Sequence, residues 1–131
     1  MQGDKIMLNE AQINNIKSVE RVIFATADKL GQPRAVWVIP SRIEADKIIL
    51  SNIQMNLSIS NIMENNKCFI NVFMPEQDDL QYKIEGKAKV FQEGDLFEEI
   101  KTFEERENLP PELKVNSIIE VTITSFEESN G

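Results

Sequence analysis

Histidine is absent from this chain of 131 residues, and cysteine occurs once, at Cys68. The absence of histidine removes the side chain most used for proton transfer near neutral pH and the commonest protein ligand of metals. We therefore expect no metal site and name no catalytic residue. One cysteine cannot form an internal disulfide, and Cys68 stands in an apolar segment without an adjacent base, so we interpret it as a small buried hydrophobe.

Basic residues and long apolar runs are also scarce. The chain has 14 Lys and Arg against 22 Asp and Glu, a net charge of −8. Nucleic acids and anionic membranes attract clustered positive charge, so this balance disfavours both as partners. No apolar run approaches the roughly 20 residues that cross a bilayer, and the first residues, MQGDKIML, do not resemble a secretory signal. We expect a cytoplasmic protein, since a chain without disulfides suits a reducing compartment.

The length fits a single domain, residues 1–131. The periodicity of apolar residues predicts a first helix at about 9–18, with Asn9 as its cap and Gln12 as the reciprocal partner. Strands are predicted at 21–27, 34–42, 48–51, 67–74, 81–91 and 118–126, and further helices at about 57–65 and 95–106. Six strands without βαβ alternation indicate a mainly β fold, a six-stranded antiparallel barrel over about 21–126 with a few helices.

Two strands have unusual patterns. Residues 35–39, AVWVI, are almost all apolar, which predicts burial on both faces, as in a barrel or at a subunit contact. Residues 81–91, QYKIEGKAKVF, alternate faces, but the inner face is small at Gly86 and Ala88. Such small residues indicate either close approach by another backbone or a flat ligand, or a bend at a barrel corner.

The junction at residues 51–58, SNIQMNLS, is the best place in the sequence for an anion. A helix start presents unpaired N–H groups, to which Ser51, Asn56 and Ser58 would add donors. The alternative is that Asn56 or Ser58 caps its own helix. Two interpretations are open for Arg34: its guanidinium binds phosphate bidentately, or it is a charge at the rim of the barrel. Two are also open for Trp37: its indole packs on a flat ring, or it lies in a core or an interface.

Three segments, in this order, resemble the FMN-binding split-barrel proteins of the pyridoxamine 5′-phosphate oxidase superfamily. The first is the hairpin A-T-x-x-x-x-G-x-P, here from Ala25 to Pro33. The second is a small helix ending in N-[IVL]-x-x-[ND]-x-[RK], here from Asn61 to Lys67. The third is the strand G-x-A-x-[VF], here from Gly86 to Val90. The resemblance covers about residues 19–126 and suits the smaller flavin-binding members.

The resemblance implies a homodimer with FMN at the subunit interface and the phosphate near the third strand and the following helix. By this resemblance the cofactor-binding residues are Arg34, Val36, Trp37, Val38, Ser51, Asn52, Asn56, Leu57 and Ser58. Leu57 stands where the family has a basic residue, and the residues that vitamin B6 oxidases use on their substrate have no counterpart. The resemblance therefore implies a flavin-dependent oxidoreductase or electron carrier with an unidentified substrate, not a pyridoxamine 5′-phosphate oxidase. The alternative is a non-catalytic dimeric module that has lost FMN or binds haem or another flat cofactor.

Overall fold

The computed structural model describes residues 6–52, 56–106 and 115–130. Within these residues, three α-helices and seven β-strands follow one another along the chain. They are α1 (Glu10–Ser18), β1 (Val22–Ala27), β2 (Pro33–Val38), β3 (Pro40–Ile43), β4 (Lys47–Asn52), α2 (Asn56–Glu64), β5 (Lys67–Met74), β6 (Leu80–Phe91), α3 (Asp95–Arg106) and β7 (Ser117–Ser129). A short 3₁₀ turn, Pro75–Gln77, joins β5 to β6.

All seven strands form one antiparallel sheet in the order β2-β1-β5-β6-β7-β4-β3. The strands at the two ends of this order, β2 and β3, are separated along the chain by Ile39 alone. The sheet must therefore curl until its ends approach, which produces a split barrel. The predicted mainly β, antiparallel barrel is confirmed, with helices at about the predicted places.

The predicted number of six strands is wrong, because the segment predicted as one strand at 34–42 forms two. β2 ends at Val38 and β3 begins at Pro40. Proline has no N–H group to donate to a strand ladder, so it is placed at strand starts and sheet edges. The chain uses this interruption to pass from one end of the sheet to the other.

The inner face of the sheet holds the main hydrophobic core. Every second residue of the long strands points inward, as the alternation in the sequence predicted. Fully buried members include Phe24, Ile48, Leu50, Ile70, Tyr82, Ile84, Ile119 and Val121. A second, smaller core lies where α3 covers the outer face of β4 and β7, and it contains Ile49, Phe97, Ile100, Val115 and Ile118.

Helix α1 packs against the main core, and its predicted cap is confirmed. The Asn9 side chain accepts a hydrogen bond from the N–H of Gln12, and the Gln12 side chain accepts one from the N–H of Asn9. Ile16 is buried in the core, and the Asn15 amide donates to the hydroxyl of buried Tyr82 at 2.7 Å. The contacts of α1 therefore reach β6, in the middle of the sheet.

Strand β2 departs from the predicted burial on both faces. Of the six residues of β2, only Val38 is buried in the single chain, and the Trp37 side chain is 61% exposed. The run of apolar residues resembled a central strand, but β2 is an end strand that, within the described part of the chain, pairs with β1 alone. Its apolar outer side is therefore uncovered in the single chain.

Gly86 lies at the closest approach between β6 and β7. A Cβ atom at this position would lie 2.5 Å from Cγ1 of Val121 and 2.8 Å from the carbonyl oxygen of Thr122. The pairing register also shifts between Glu85 and Gly86, as in a β-bulge. Of the interpretations open for this glycine, the structure supports close approach by a neighbouring strand together with a local bend.

We predict that Gly86→Ala lowers the free energy of unfolding by about 2–3 kcal/mol, because the new methyl group overpacks a site bounded by backbone. Urea unfolding followed by circular dichroism measures this change. The control is Lys87→Ala, at an exposed position of the same strand, for which a change within about 0.5 kcal/mol is expected. Equal stability of Gly86→Ala and wild type would contradict the assigned contact.

Candidate cofactor site

The first turn of α2 contains a buried hydroxyl group without a partner. Ser58 is 1% exposed, and its Oγ makes no hydrogen bond within the described part of the chain. A buried polar group left unpaired costs about 1–3 kcal/mol, so such groups call for an explanation. Helix α2 begins at Asn56, whose side chain lies outside the described residues. Leu57, in the same turn, is 57% exposed.

A short series of polar residues connects α2 to Arg34. The Asn61 amide of α2 donates to the hydroxyl of Thr26 on β1 at 3.1 Å. Thr26 is in turn the cross-strand partner of Arg34 on β2, so these two side chains leave the sheet on the same face. Asn61 lies three residues after Ser58, close to one helical turn. The fold therefore brings Arg34 and α2 to the same end of the barrel, although they are distant in sequence.

Ser51 and Asn52 differ in the direction of their side chains. They are consecutive residues of β4, so the two side chains point to opposite faces. The Ser51 hydroxyl bonds with the hydroxyl of Ser41 on β3. The Asn52 amide donates to the hydroxyl of Ser117 on β7 at 2.9 Å, and both of these residues are buried. This amide group is thus engaged in joining β4 to β7.

The three predicted ring-bordering residues of β2 also divide between two faces. Val36 and Val38 pair with inward-facing Phe24 and Val22, whereas Trp37 pairs with Ile23 on the outer face. Strand β2 pairs on one side only, which leaves the other edge of its backbone without a strand partner among the described residues. The indole of Trp37 and this free backbone edge therefore lie next to each other at the end of the sheet.

The outer face around Trp37 is apolar and uncovered. Ile23 pairs with Trp37 and with Asn71, and Phe69 and Phe73 flank Asn71 on the same face of β5. Of these, Phe73 is 41% exposed, and Ile23 and Phe69 are partly exposed. We call Ile23, Trp37, Phe69 and Phe73 the outer apolar face. A contiguous exposed apolar surface is typical of an interaction site.

Sequence reasoning did not assign a role to Thr26, Asn61, Ser41 or Ser117. Each of them makes its hydrogen bond to a residue on another element, 10 to 65 positions away. Periodicity carries no information on such pairs. Thr26 and Asn61 do fall within the segments that carried the family resemblance, which is the one signal in the sequence that marked them.

Cys68 is buried, as predicted. Burial raises the pKa of its thiol to about 12, from an ordinary value of 9.0, because the thiolate would lose its hydration. The thiolate is the reactive form of cysteine, so this residue is a poor nucleophile and a poor metal ligand in the folded protein.

No helix in the described part of the chain is long and apolar enough to span a membrane. The described helices have 9 to 12 residues. This agrees with the absence of a sufficiently long apolar run in the sequence.

The curled sheet, its antiparallel order and the helices around it define a split-barrel protein. The model of the family described as pyridoxamine 5′-phosphate oxidase matches residues 8–130, which is most of the chain. The chain therefore belongs to the pyridoxamine 5′-phosphate oxidase family, as its sequence predicted. No curated protein matches the chain.

Solved structures share this fold. HupZ of Group A Streptococcus is 19% identical, with a TM-score of 0.82 over 95% of this chain and 96% of that one. An FMN-binding protein from Syntrophomonas wolfei is 17% identical, with a TM-score of 0.66 over 88% and 84%. A Clostridium acetobutylicum protein related to general stress protein 26 is 14% identical, with a TM-score of 0.71 over 88% and 83%. At these identities the similarity shows the fold.

We predict that Cys68 reacts with a thiol reagent at pH 8 at least about tenfold more slowly in the folded protein than in urea, since burial raises the pKa of the thiol to about 12 and leaves less of the reactive thiolate. The same shift acts on stability. The raised pKa stabilises the folded state below about pH 9, and this contribution is lost as the pH rises from about 9 toward 12.

Thiol titration and pH-dependent unfolding test this prediction. Cys68→Ala is the control, because it removes the titrating group and with it this part of the alkaline loss of stability. Rapid labelling of the native protein at pH 8 would show that the thiol is accessible and ionised, and would refute the prediction.

Proposed function

We propose that this chain binds FMN as a homodimer and acts as a flavin-dependent oxidoreductase or electron carrier on an unidentified small molecule. The phosphate would bind at the first turn of α2 and the ring against β2. The observation that carries the proposal is the buried, unpaired hydroxyl of Ser58 in that turn. The family of the chain and its FMN-binding structural neighbour support it.

The phosphate end of the proposed site rests on three kinds of donor. A helix start offers free backbone N–H groups and the positive end of the helix dipole, which favour anions. A phosphate oxygen would supply the acceptor that the Ser58 hydroxyl lacks. Arg34 lies at the same end of the barrel, because it is the cross-strand partner of Thr26 and Thr26 accepts a hydrogen bond from Asn61 of α2. Its guanidinium is suited to bind two phosphate oxygens at once.

Leu57 alters the balance of charge at this end. The family resemblance places a basic residue there, and an apolar side chain forgoes a charge-assisted hydrogen bond worth about 1.5–3 kcal/mol. Ser51 and Asn52 have hydrogen-bond partners on β3 and β7, so they contribute less to phosphate binding than their position in the sequence implied. The proposed phosphate site therefore depends mainly on Arg34, Ser58 and backbone N–H groups.

The ring end of the proposed site rests on β2. The free backbone edge of this strand offers donors and acceptors for the polar edge of a planar ring, and the Trp37 indole offers a flat apolar surface. When bound, FMN would supply the hydride or electron chemistry through its own ring. The protein would hold the phosphate, orient the ring and exclude water, so the lack of histidine is no obstacle.

The homodimer is proposed from the outer apolar face. Trp37 of this face and Ile39, two residues further along the chain, are 61% and 59% exposed in the single chain, although both belong to an apolar run. A second copy covering this face would remove the indole from water and would enclose the ring site between two subunits. Burial of apolar surface is the main favourable term in such associations.

The central experiment is titration of the purified protein with FMN, followed by flavin fluorescence and by thermal unfolding. We expect saturable binding and a rise in Tm, because a ligand bound only by the folded state stabilises it. Ser58→Ala should weaken FMN about tenfold, the loss of one neutral hydrogen bond of about 1.4 kcal/mol. Without FMN this variant should be as stable as wild type or more so, because it lacks the unpaired hydroxyl.

Ser60→Ala is the matched control, since Ser60 is an exposed serine of the same helix. It should leave FMN affinity unchanged. A colourless wild-type protein whose Tm does not respond to FMN would refute the proposed cofactor. Unchanged affinity in Ser58→Ala would instead place the phosphate elsewhere.

We predict that Trp37→Lys converts the dimer to a monomer and lowers FMN affinity at least tenfold, since it puts a charge into the apolar centre of the proposed interface. Light scattering after size exclusion measures the mass. Met7→Lys, at another exposed apolar position far from β2 in sequence, should remain dimeric. A monomeric wild type at micromolar concentration would refute the proposed assembly.

The exposed Leu57 favours a second candidate function. Without a cation in this turn, the chain could serve as a dimeric binding module that has lost FMN or that holds haem or another flat cofactor. The same titration separates the candidates. A dimer that ignores FMN supports the module, and a Soret band after addition of haem supports the exchanged cofactor.

A further inference from the structure

Three lysines form a row across four neighbouring strands on the outer face of the sheet. Lys67 of β5 pairs with Lys87 of β6, Lys87 pairs with Thr122 of β7, and Thr122 pairs with Lys47 of β4. The side chains of directly paired residues point to the same face of a sheet, and neighbouring strands are about 4.8 Å apart. The row therefore spans about 14 Å. We call Lys47, Lys67 and Lys87 the lysine row.

Two members of the lysine row have no counter-charge. The ammonium groups of Lys67 and Lys87 make no hydrogen bond or ion pair within the described residues, and both residues are exposed. The ammonium group of Lys47 forms an ion pair with the carboxylate of Glu120, with 3.6 Å between Nζ and Oε1. Lys89, in the neighbouring row of β6, adds a further exposed cation and lies 5.1 Å from the centre of the Phe91 ring. This positive surface occurs in a chain whose net charge is −8.

The direct pairing of Lys67 with Lys87 works against folding. Like charges directly opposite each other destabilise a sheet. Neither lysine packs in a core. A feature that costs stability and adds no internal contact is better explained by something that binds to it.

We propose that the lysine row is a docking surface for an acidic protein partner. The outer side of a curled sheet is convex, and the lysines stand side by side instead of converging, which suits an opposing surface rather than a small anion. Complementary charge accelerates and orients such encounters. The proposal does not depend on FMN.

The distribution of acid around the row favours a protein over a nucleic acid. Glu85 lies on the same face in one neighbouring row, and Glu120 in the other. Beyond Glu120, α3 covers the face and presents exposed Asp95, Glu98 and Glu99. A polynucleotide crossing the lysine row would extend over these carboxylates. A protein surface with a local acidic group about 14 Å across matches the length of the row without extending over α3.

The test uses the purified full chain and poly-L-glutamate of about 20 residues as the acidic polypeptide probe, with binding followed by fluorescence anisotropy at low salt. We expect the double variant Lys67→Gln with Lys87→Gln to weaken binding at least tenfold. The variant should keep its fold, with a Tm equal to or above that of wild type, since it removes the repulsion between paired lysines.

The matched control is Lys17→Gln with Lys29→Gln, which removes the same charge from two other exposed positions and should change the affinity less than twofold. An equal loss in both double variants would overturn the proposal, since net charge alone would then explain it. A lower Tm in the Lys67 and Lys87 variant would overturn it by showing that these lysines hold the fold. Tighter binding of single-stranded DNA of the same length than of polyglutamate would overturn the choice of partner.

Discussion

The close contact between β6 and β7 is the constraint on which the rest of the structure depends. These two long strands pair along most of their length in the middle of the sheet, and the register shift beside Gly86 bends them together. A side chain at Gly86 would collide with β7 backbone. Because bulges increase local twist, this contact helps the sheet to curl far enough for a single residue, Ile39, to bridge its two ends.

The curl gives the two faces of the sheet different roles. The inner face holds the main core and is closed on one side by α2, whose Asn61 bonds to Thr26 beside Arg34. The outer face is divided into three parts: the outer apolar face, the lysine row, and the portion covered by α3. The proposed cofactor site lies where β2 ends the sheet, since only an end strand offers both a free backbone edge and an uncovered aromatic side chain.

Local patterns explain which parts of the fold could be predicted. The capping box at Asn9, the alternation of residues 81–91 and the burial of Cys68 depend on short-range rules, and the structure confirms them. The division of 34–42 into two strands was missed because the apolar run continues to Ile39, and only the missing N–H of Pro40 marks the break. The single chain does not bury β2 on both faces, because a run of apolar residues does not reveal whether its strand is central or at the end. Burial of this strand at a subunit contact stays a prediction.

The sequence by itself determined the class of fold and the family, since alternation, capping and three ordered segments are all local in the chain. The tertiary structure alone decided which candidate residues share a surface. It directed Ser51 and Asn52 to opposite faces, left the Ser58 hydroxyl without a partner, and aligned lysines from β4, β5 and β6 in one row. The physical reason is that strand register joins residues tens of positions apart, and register follows from packing of the whole sheet.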